Sequence, residues 1–270
     1  MTANFIFGVL IFILIADYIF NSILDYLNAK KFDDELPKKL KDVYAPDEYL
    51  RSQQYKKERS RFSTIQTGFS LVLILVFLFL DGFAFINDIA LSISENEILT
   101  GLIFFGIILL ASAIINIPFS YYSTFVIEEK YGFNKMSRKT FFLDLIKGAV
   151  MTSIIGGGIL ALVIWIYQLT GSSFWLYAWG FITAFSLFMN MFYSRLIVPI
   201  FNKQSPLEEG SLRTKIETYA NKVGFALDNI FVIDGSKRST KANAYFSGFG
   251  REKRITLYDT LIDDLEEEEI

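Results

Sequence analysis

Ile98-Leu-Thr-Gly-Leu-Ile-Phe-Phe-Gly-Ile-Ile-Leu-Leu-Ala-Ser-Ala-Ile-Ile-Asn-Ile-Pro-Phe-Ser-Tyr-Tyr-Ser-Thr-Phe-Val126 runs without one charged side chain. As an α-helix it is long enough to cross a bilayer core of roughly 30 Å. Four further apolar runs share this property: Asn4–Leu27, Ile65–Ile86, Leu143–Gln168 and Phe174–Ile200. The chain as a whole is 52% hydrophobic and 17% aromatic, above the roughly 45–50% apolar content of soluble domains. The fold class is therefore mainly α, a multi-pass membrane bundle with five spans. The first run starts at Phe5 without a basic leader and continues past Asp17 to Tyr26, so it reads as a retained span rather than a cleaved signal. Pro118 predicts a kink in the third run, because proline removes a donor and clashes one turn back. Gly148 and Gly156-Gly157-Gly158 in the fourth run predict close helix packing in preference to a hinge.

Basic residues orient the spans. Ten Lys and Arg lie between Lys30 and Arg61, and none lies in the connection Asn87–Glu97. Lys130, Lys135, Arg138 and Lys139 follow the third run, none lies in Leu169–Ser173, and Lys203, Arg213 and Lys215 follow the fifth. Every basic loop falls on one side, which places that side in the cytosol and the N-terminus outside or lumenal. The Lys- and Glu-rich Lys30–Arg61 loop is expected to be partly amphipathic helix.

From Asn202 the chain becomes polar. This divides it into a five-span region, 1–201, and the beginning of a cytosolic α/β unit, 202–270. Pro206–Gly210 reads as a turn or helix entry. Leu212, Ile216, Tyr219, Ala220 and Val223 share one helical face. Asn229–Ile233 is a short strand candidate. Ala242–Phe246 and Arg254–Tyr258 are two more, joined through Ser247-Gly248-Phe249-Gly250 as a hairpin. Asp259-Thr260, with Asp263 three residues after Thr260, offers an N-cap. The glutamates at 266–269 suit the first turn of a helix, where the macrodipole favours negative charge. A strand containing Asn243 and Tyr245 has an edge that an extended peptide could join, backbone to backbone.

The chain has no histidine and no cysteine. Within these residues that excludes imidazole acid–base chemistry, disulfides, and a zinc site built on imidazole or thiolate. A net charge of −3 with dispersed basic residues gives no case for nucleic acid. Asp17, Asp25, Asp81, Asp144 and Lys147 fall inside apolar runs. The last four are expected to reach the interface from span ends, whereas Asp17, with Asn21 one turn on, suggests a wet lining together with Asn116 and Asn190. Tyr121–Asn134 reads as an interfacial anchor with a glycine turn.

Three stretches carry a family resemblance. They are Pro118-Phe119 with Tyr122-Ser-Thr-Phe-Val-Ile-Glu-Glu-Lys-Tyr-Gly-Phe-Asn134; Ile197-Val-Pro-Ile-Phe-Asn-Lys-Gln-Ser-Pro-Leu-Glu-Glu-Gly210; and Val232-Ile-Asp-Gly-Ser-Lys-Arg-Ser-Thr-Lys-Ala-Asn-Ala-Tyr-Phe-Ser-Gly248 through Ile255-Thr-Leu-Tyr-Asp-Thr-Leu261. With the five preceding spans they make the chain resemble the N-terminal portion of the type 1 CAAX prenyl proteases, integral-membrane zinc metalloendopeptidases. The resemblance implies seven spans in a full protein, around a water-filled chamber with zinc at its cytosolic end and the start of a zincin-like catalytic unit at 202–270. It implies that Asn243, Ala244, Tyr245, Phe246 and Gly248 form the substrate-binding edge and hairpin. It also implies that Glu266–Ile270 opens the helix carrying His-Glu-x-x-His, whose histidines, one turn apart, bind Zn²⁺ while its glutamate activates water. No catalytic residue and no metal ligand lies in the 270 residues, so this stretch alone is expected to be inactive and Zn²⁺ to belong to the full-length protein. The implied partners are the bilayer and a peptide or protein substrate, prenylated or, in a bacterium, a membrane protein under quality control. The implied location is the endoplasmic reticulum, or a bacterial inner membrane. A channel or transporter using Asp17 is the alternative, and it leaves the hairpin unexplained.

Overall fold

The computed structural model describes residues 2–225, 227, 229–249 and 253–270. Helix α1 (Ala3–Ala29) follows the first apolar run. Helix α2 (Pro46–Phe79) starts with proline in its first turn, followed by Asp47 and Glu48, a start suited to fixed φ and to the positive end of the helix dipole. Its 34 residues join the second half of the charged loop to the second span. The expected span Ile65–Ile86 is not continuous. Asp81 adopts the left-handed conformation, φ 54°, which Asp tolerates better than most residues, and α3 (Gly82–Ile93) begins beyond it. A side chain at Gly82 would collide with the Phe77 ring. The connection expected at Asn87–Glu97 is thus largely helix.

Helix α4 (Glu97–Tyr122) contains Pro118 and passes into a π-type turn, Ser123–Glu128. Helix α5 (Arg138–Met151) is capped by Ser137, whose hydroxyl accepts from the Thr140 N–H at 3.1 Å. It passes through a second π-type turn, Thr152–Gly156, into α6 (Gly157–Thr170). Gly171, φ 50°, ends α6. Helix α7 (Phe174–Leu196) then packs on α6, with Tyr167 and Phe174 edge to face across the turn at 5.3 Å. Among the described residues, four continuous helical runs are long and apolar enough to cross a membrane, and the last, Arg138–Phe201, spans 64 residues. It is interrupted at Gly171, between α6 and α7. Of the glycine triplet, Gly157 meets α4: a Cβ there would touch the Leu102 Cδ2 at 3.8 Å, while one on Gly158 would meet nothing within 4 Å. The tighter approach of the same two helices is at Gly101, where a Cβ would come within 2.6 Å of the Ile164 Cδ1. The segment before the triplet instead takes the wider turn, a geometry that often interrupts α-helices at functional positions.

The chain forms two compact units, Met1–Glu95 with Ile107–Tyr131, and Asn96–Gly106 with Gly132–Ile270. In the first, the charged part of α2 is braced against the end of the α4 run. Tyr55 donates to Glu128 at 2.6 Å, Lys130 and Tyr131 both donate to Glu58 at 2.7 and 2.8 Å, and Arg51 donates to the Tyr131 carbonyl at 2.8 Å. Tyr121–Asn134 is therefore more than an interfacial anchor.

In the second unit, α7 leads through α8 (Val198–Phe201) into a small mixed sheet and α9 (Ser211–Lys222). The strands are β1 (Gln204–Pro206), β2 (Asn229–Ile233), β3 (Ala244–Ser247) and β4 (Arg254–Tyr258), in the order β1-β2-β4-β3. β2 and β4 run parallel, and both outer pairings are antiparallel. Ile230, Ile255 and Leu257 form the core, against Leu212 and Ile216 of α9 and against Leu261. The hairpin forms where alternation predicts it, with Gly250 of its loop outside the described residues. Helix α10 (Asp259–Asp264) is not capped by the Asp259 or Thr260 side chain. Asp259 instead accepts from the backbone N–H groups of Ser236 and Thr260, each at 2.8 Å. Leu265 is extended. A separate turn follows, in which Glu266 donates to the Glu269 carboxylate at 2.9 Å and Ile270 donates to the Glu266 carbonyl at 3.2 Å, a capping-box pattern.

Candidate peptide-binding edge

Segments far apart in sequence meet beside the sheet. Lys135 N–H donates to the Arg238 carbonyl at 3.0 Å, and Thr240 N–H to the Phe133 carbonyl at 3.1 Å, around a bridge between Asn134 and Ser239. Asn134 turns the chain locally by accepting from the Met136 N–H at 2.8 Å. Lys203 N–H donates to the Asp234 carboxylate at 2.8 Å. The three stretches singled out in the sequence thus converge, through Gly132–Met136, Asn202–Pro206 and Asp234–Thr240.

Arg238 is the centre of this junction. Its guanidinium grips Asp144 of α5 with two bonds, 2.8 and 3.0 Å, and donates to the Phe201 carbonyl at 2.7 Å. Both side chains of the pair are 19% exposed. Lys147, one turn along α5, donates to the Ile200 carbonyl at 2.7 Å, a favourable place for a cation at the end of α8. Asp144 and Lys147, expected to reach an interface from a span end, both have protein partners. They hold the segment after α7 and the loop before β3. Their spacing of three residues on one helix face was the available sequence signal.

This junction positions β3. β4 is its only strand neighbour among the described residues, which leaves β3 at the sheet margin. Tyr258 N–H donates to the Asn243 carbonyl at 3.0 Å. Bonded and non-bonded pairs alternate in antiparallel sheets. The strand register, Tyr245 opposite Thr256 and Ser247 opposite Arg254, therefore directs the backbone groups of Ala244 and Phe246 to the outer edge. The outward Ala244 N–H is held by the Asn243 side chain at 2.9 Å. Gly248 follows with φ 87°, a conformation that favours glycine. Ser194 of α7, 1% exposed, meets the Ser247 hydroxyl at 2.7 Å and ties the end of the edge strand to α7. Ser194 had no sequence signal beyond being a hydroxyl in an apolar run.

An open cleft of about 920 Å³ lies between α7 and the sheet, lined among others by Phe185, Asn190 and Tyr193 from α7, by Phe201, and by Tyr245 and Tyr258. The Tyr245 hydroxyl is buried without a hydrogen-bond partner among the described residues. Burial pushes the Tyr258 phenol above its ordinary range, the nearby Tyr245 adds to this, and the hydrogen bond with Asn243 opposes it. Tyr258 is therefore neutral at physiological pH. The cleft can offer hydroxyl and amide groups in apolar walls, beside an edge with outward-facing backbone groups, of which the Ala244 N–H is held by Asn243. Of the residues expected at the hairpin, Tyr245 turns its ring to the cleft, and Phe246 borders the cleft only where the strand passes it, its ring being directed to the opposite face of the sheet; Asn243 and Ala244 lie at the start of the edge, and Gly248 turns the chain beyond it. Asp17 is not part of this arrangement. It is exposed and accepts from Asn21 at 3.0 Å.

Similarity to known proteins agrees with this geometry. Residues 25–203 match the family described as CAAX prenyl protease N-terminal, five membrane helices, and residues 206–270 match Peptidase family M48. A CAAX prenyl protease 1 homolog of rice is 38% identical over all of this chain and 65% of its own length. CAAX prenyl protease 1 of Saccharomyces cerevisiae is 36% identical over 95% of this chain and 59% of its own. A crystal structure of S. mikatae Ste24p superposes with a TM-score of 0.90 at 37% identity, covering 96% of this chain and 62% of that one. The fold and its open-edged sheet define an integral-membrane member of the M48 peptidases. Within them, the chain belongs to the CAAX prenyl protease 1 family. It spans about 59–65% of the length of these relatives.

The family implies a metal, typically zinc. The residues present do not fit one: there is no histidine or cysteine, and among the described residues no three acidic side chains converge. Glu267 and Glu268 instead pair with Lys215 at 3.1 and 2.9 Å.

Proposed function

We propose that this chain supplies the first five spans and the substrate-binding edge of a zinc metalloendopeptidase acting near the C-terminus of prenylated proteins. The observation that carries the reading is β3, a marginal strand with outward backbone groups beside an open cleft, in a chain of this family. Asn243, Ala244, Tyr245, Phe246 and Gly248 bind substrate backbone, with 1–201 as the five-span region and 202–270 as the beginning of the protease unit. The charge asymmetry of the loops supports a cytosolic 202–270 and an outside or lumenal N-terminus. Zinc in such an enzyme supplies a Lewis acid and an activated water, and its imidazole ligands come from chain outside these 270 residues. The role of the present residues is to align a peptide as an added strand, with alternate side chains in the cleft and the amide planes fixed by Ala244 and Phe246.

Peptide cleavage tests this. A full-length protein containing this chain, in detergent or nanodiscs, should cleave a fluorogenic peptide ending in a prenylated CAAX sequence, lose that activity to a chelator and regain it with zinc. The 270-residue chain alone should bind the peptide without cleaving it. Chelator-resistant cleavage, or no cleavage by the full-length protein, overturns the reading.

A further inference from the structure

We infer that β3 reads a bound peptide on two faces, and that the face away from the cleft carries an aromatic shelf, Phe225 with Phe246, selecting an apolar side chain. This rests on the proposed peptide-binding role of the edge. Successive side chains of a strand point to opposite faces. Tyr245 and Ser247 are half-buried, with Ser247 bonded to α7, while Ala244 and Phe246 are exposed. Phe246 stands opposite Ile255, whose side chain belongs to the core under α9. Phe246 therefore lies on the α9 face of the sheet, beyond the margin of that core.

Phe246 is 71% exposed, and its only ring neighbour among the described residues is Phe225, at 5.6 Å in edge-to-face geometry. Phe225 is held at the end of α9 by its N–H bond to the Ala220 carbonyl, 2.8 Å, after Gly224 at φ 70°. The Lys253 ammonium lies 4.8 Å from the centre of the Phe225 ring. An exposed aromatic on an open strand edge invites non-specific pairing, so its presence calls for an occupant. Strand addition provides one: every second side chain of a peptide joined to β3 falls on this face, next to Phe246. The shelf offers it apolar area, and Lys253 disfavours a basic side chain there. The other set of side chains enters the cleft against Tyr193 and Asn190. Specificity is then a pattern with a period of two, apolar on the shelf face and mixed on the cleft face.

Binding by the detergent-solubilised chain, measured by fluorescence anisotropy, tests this without requiring cleavage. The probes are end-capped, labelled serine- and threonine-based peptides in which one position at a time is Leu, Gly or Lys. At positions two residues apart, Leu should bind about tenfold more tightly than Lys, the weight of one partly buried leucine. Phe246→Ala should reduce that preference to about twofold or less, and Phe246→Leu should restore it. Phe225→Ala should reduce it in part. If the Leu preference survives in both alanine variants, the shelf is wrong. If binding is also indifferent to N-methylation of the peptide backbone, edge pairing itself fails and the proposed function falls with it. Sensitivity to N-methylation with an undiminished Leu preference overturns the shelf alone.

Discussion

β3 and β4 are adjacent, antiparallel and similar in sequence character, yet they occupy opposite situations. β4 sits between β2 and β3, with Arg254, Ile255, Thr256 and Leu257 all buried. β3 has one strand neighbour among the described residues and exposes Phe246. Neighbours on both sides make a strand a structural member, whereas one open side leaves donors and acceptors for another chain. β3 is nevertheless not loose. Ser194 holds its end, and Arg238, gripped by Asp144, holds the segment leading into it. A binding edge must be fixed by side chains behind it because its front has to remain unpaired.

Substitutions can break this contrast. The largest effect is expected in the buried strand: Leu257→Ala should cost about 2–5 kcal/mol, the range for emptying a core leucine site. Thermal unfolding in detergent, followed by circular dichroism, should register it as a large fall in Tm. Asp144→Ala comes next, at about 2 kcal/mol, below the 3–5 kcal/mol of a fully buried pair because both side chains keep some solvent. Proteolysis or hydrogen exchange should find the loosening in Asp234–Thr240 first, and Arg238→Lys should not restore the bidentate grip. Phe246→Ala should change stability by less than about 0.5 kcal/mol while altering peptide preference, which separates binding from structure within one hairpin.

The smallest effect concerns the acidic turn. Hydrogen bonds from Ser211 and Lys215 hold the Glu267 carboxyl below its usual range. A depressed carboxyl stabilises the folded state above its unfolded pKa, and that contribution disappears as pH falls through the lower folded value. Hydrogen exchange at 266–270 should therefore quicken below about pH 4, and also in high salt at neutral pH. Unchanged protection under both conditions would mean that packing, rather than the Lys215 pairing, holds the turn.

Much of this arrangement is legible in the residues. Long apolar runs predict the candidate spans, a short apolar run rich in β-branched residues predicts β2, polar–apolar alternation predicts β4, and Gly248 marks the hairpin turn. The break at Asp81 was hidden because α2 and α3 are both apolar, and hydropathy does not register a single left-handed residue. The Arg238–Asp144 grip was hidden because its partners are 94 residues apart. Of the packing role assigned to Gly156-Gly157-Gly158, only Gly157 carries part, against Leu102, and the tightest approach of the same helices is at Gly101 against Ile164, since a glycine packs closely only where another helix arrives.

By itself, the sequence determined that this is a multi-span membrane protein with a small α/β unit, that it contains no imidazole or thiolate ligands, and which stretches resemble a protease family. Those properties depend on residue type and short-range period, and both are local. Only the tertiary structure decided that β3 lies at the margin of the sheet, that Ser194 and Asp144 anchor it from behind, and that Phe225 stands beside Phe246. Those facts depend on strand order and on contacts between distant residues, which hydrophobic period does not encode.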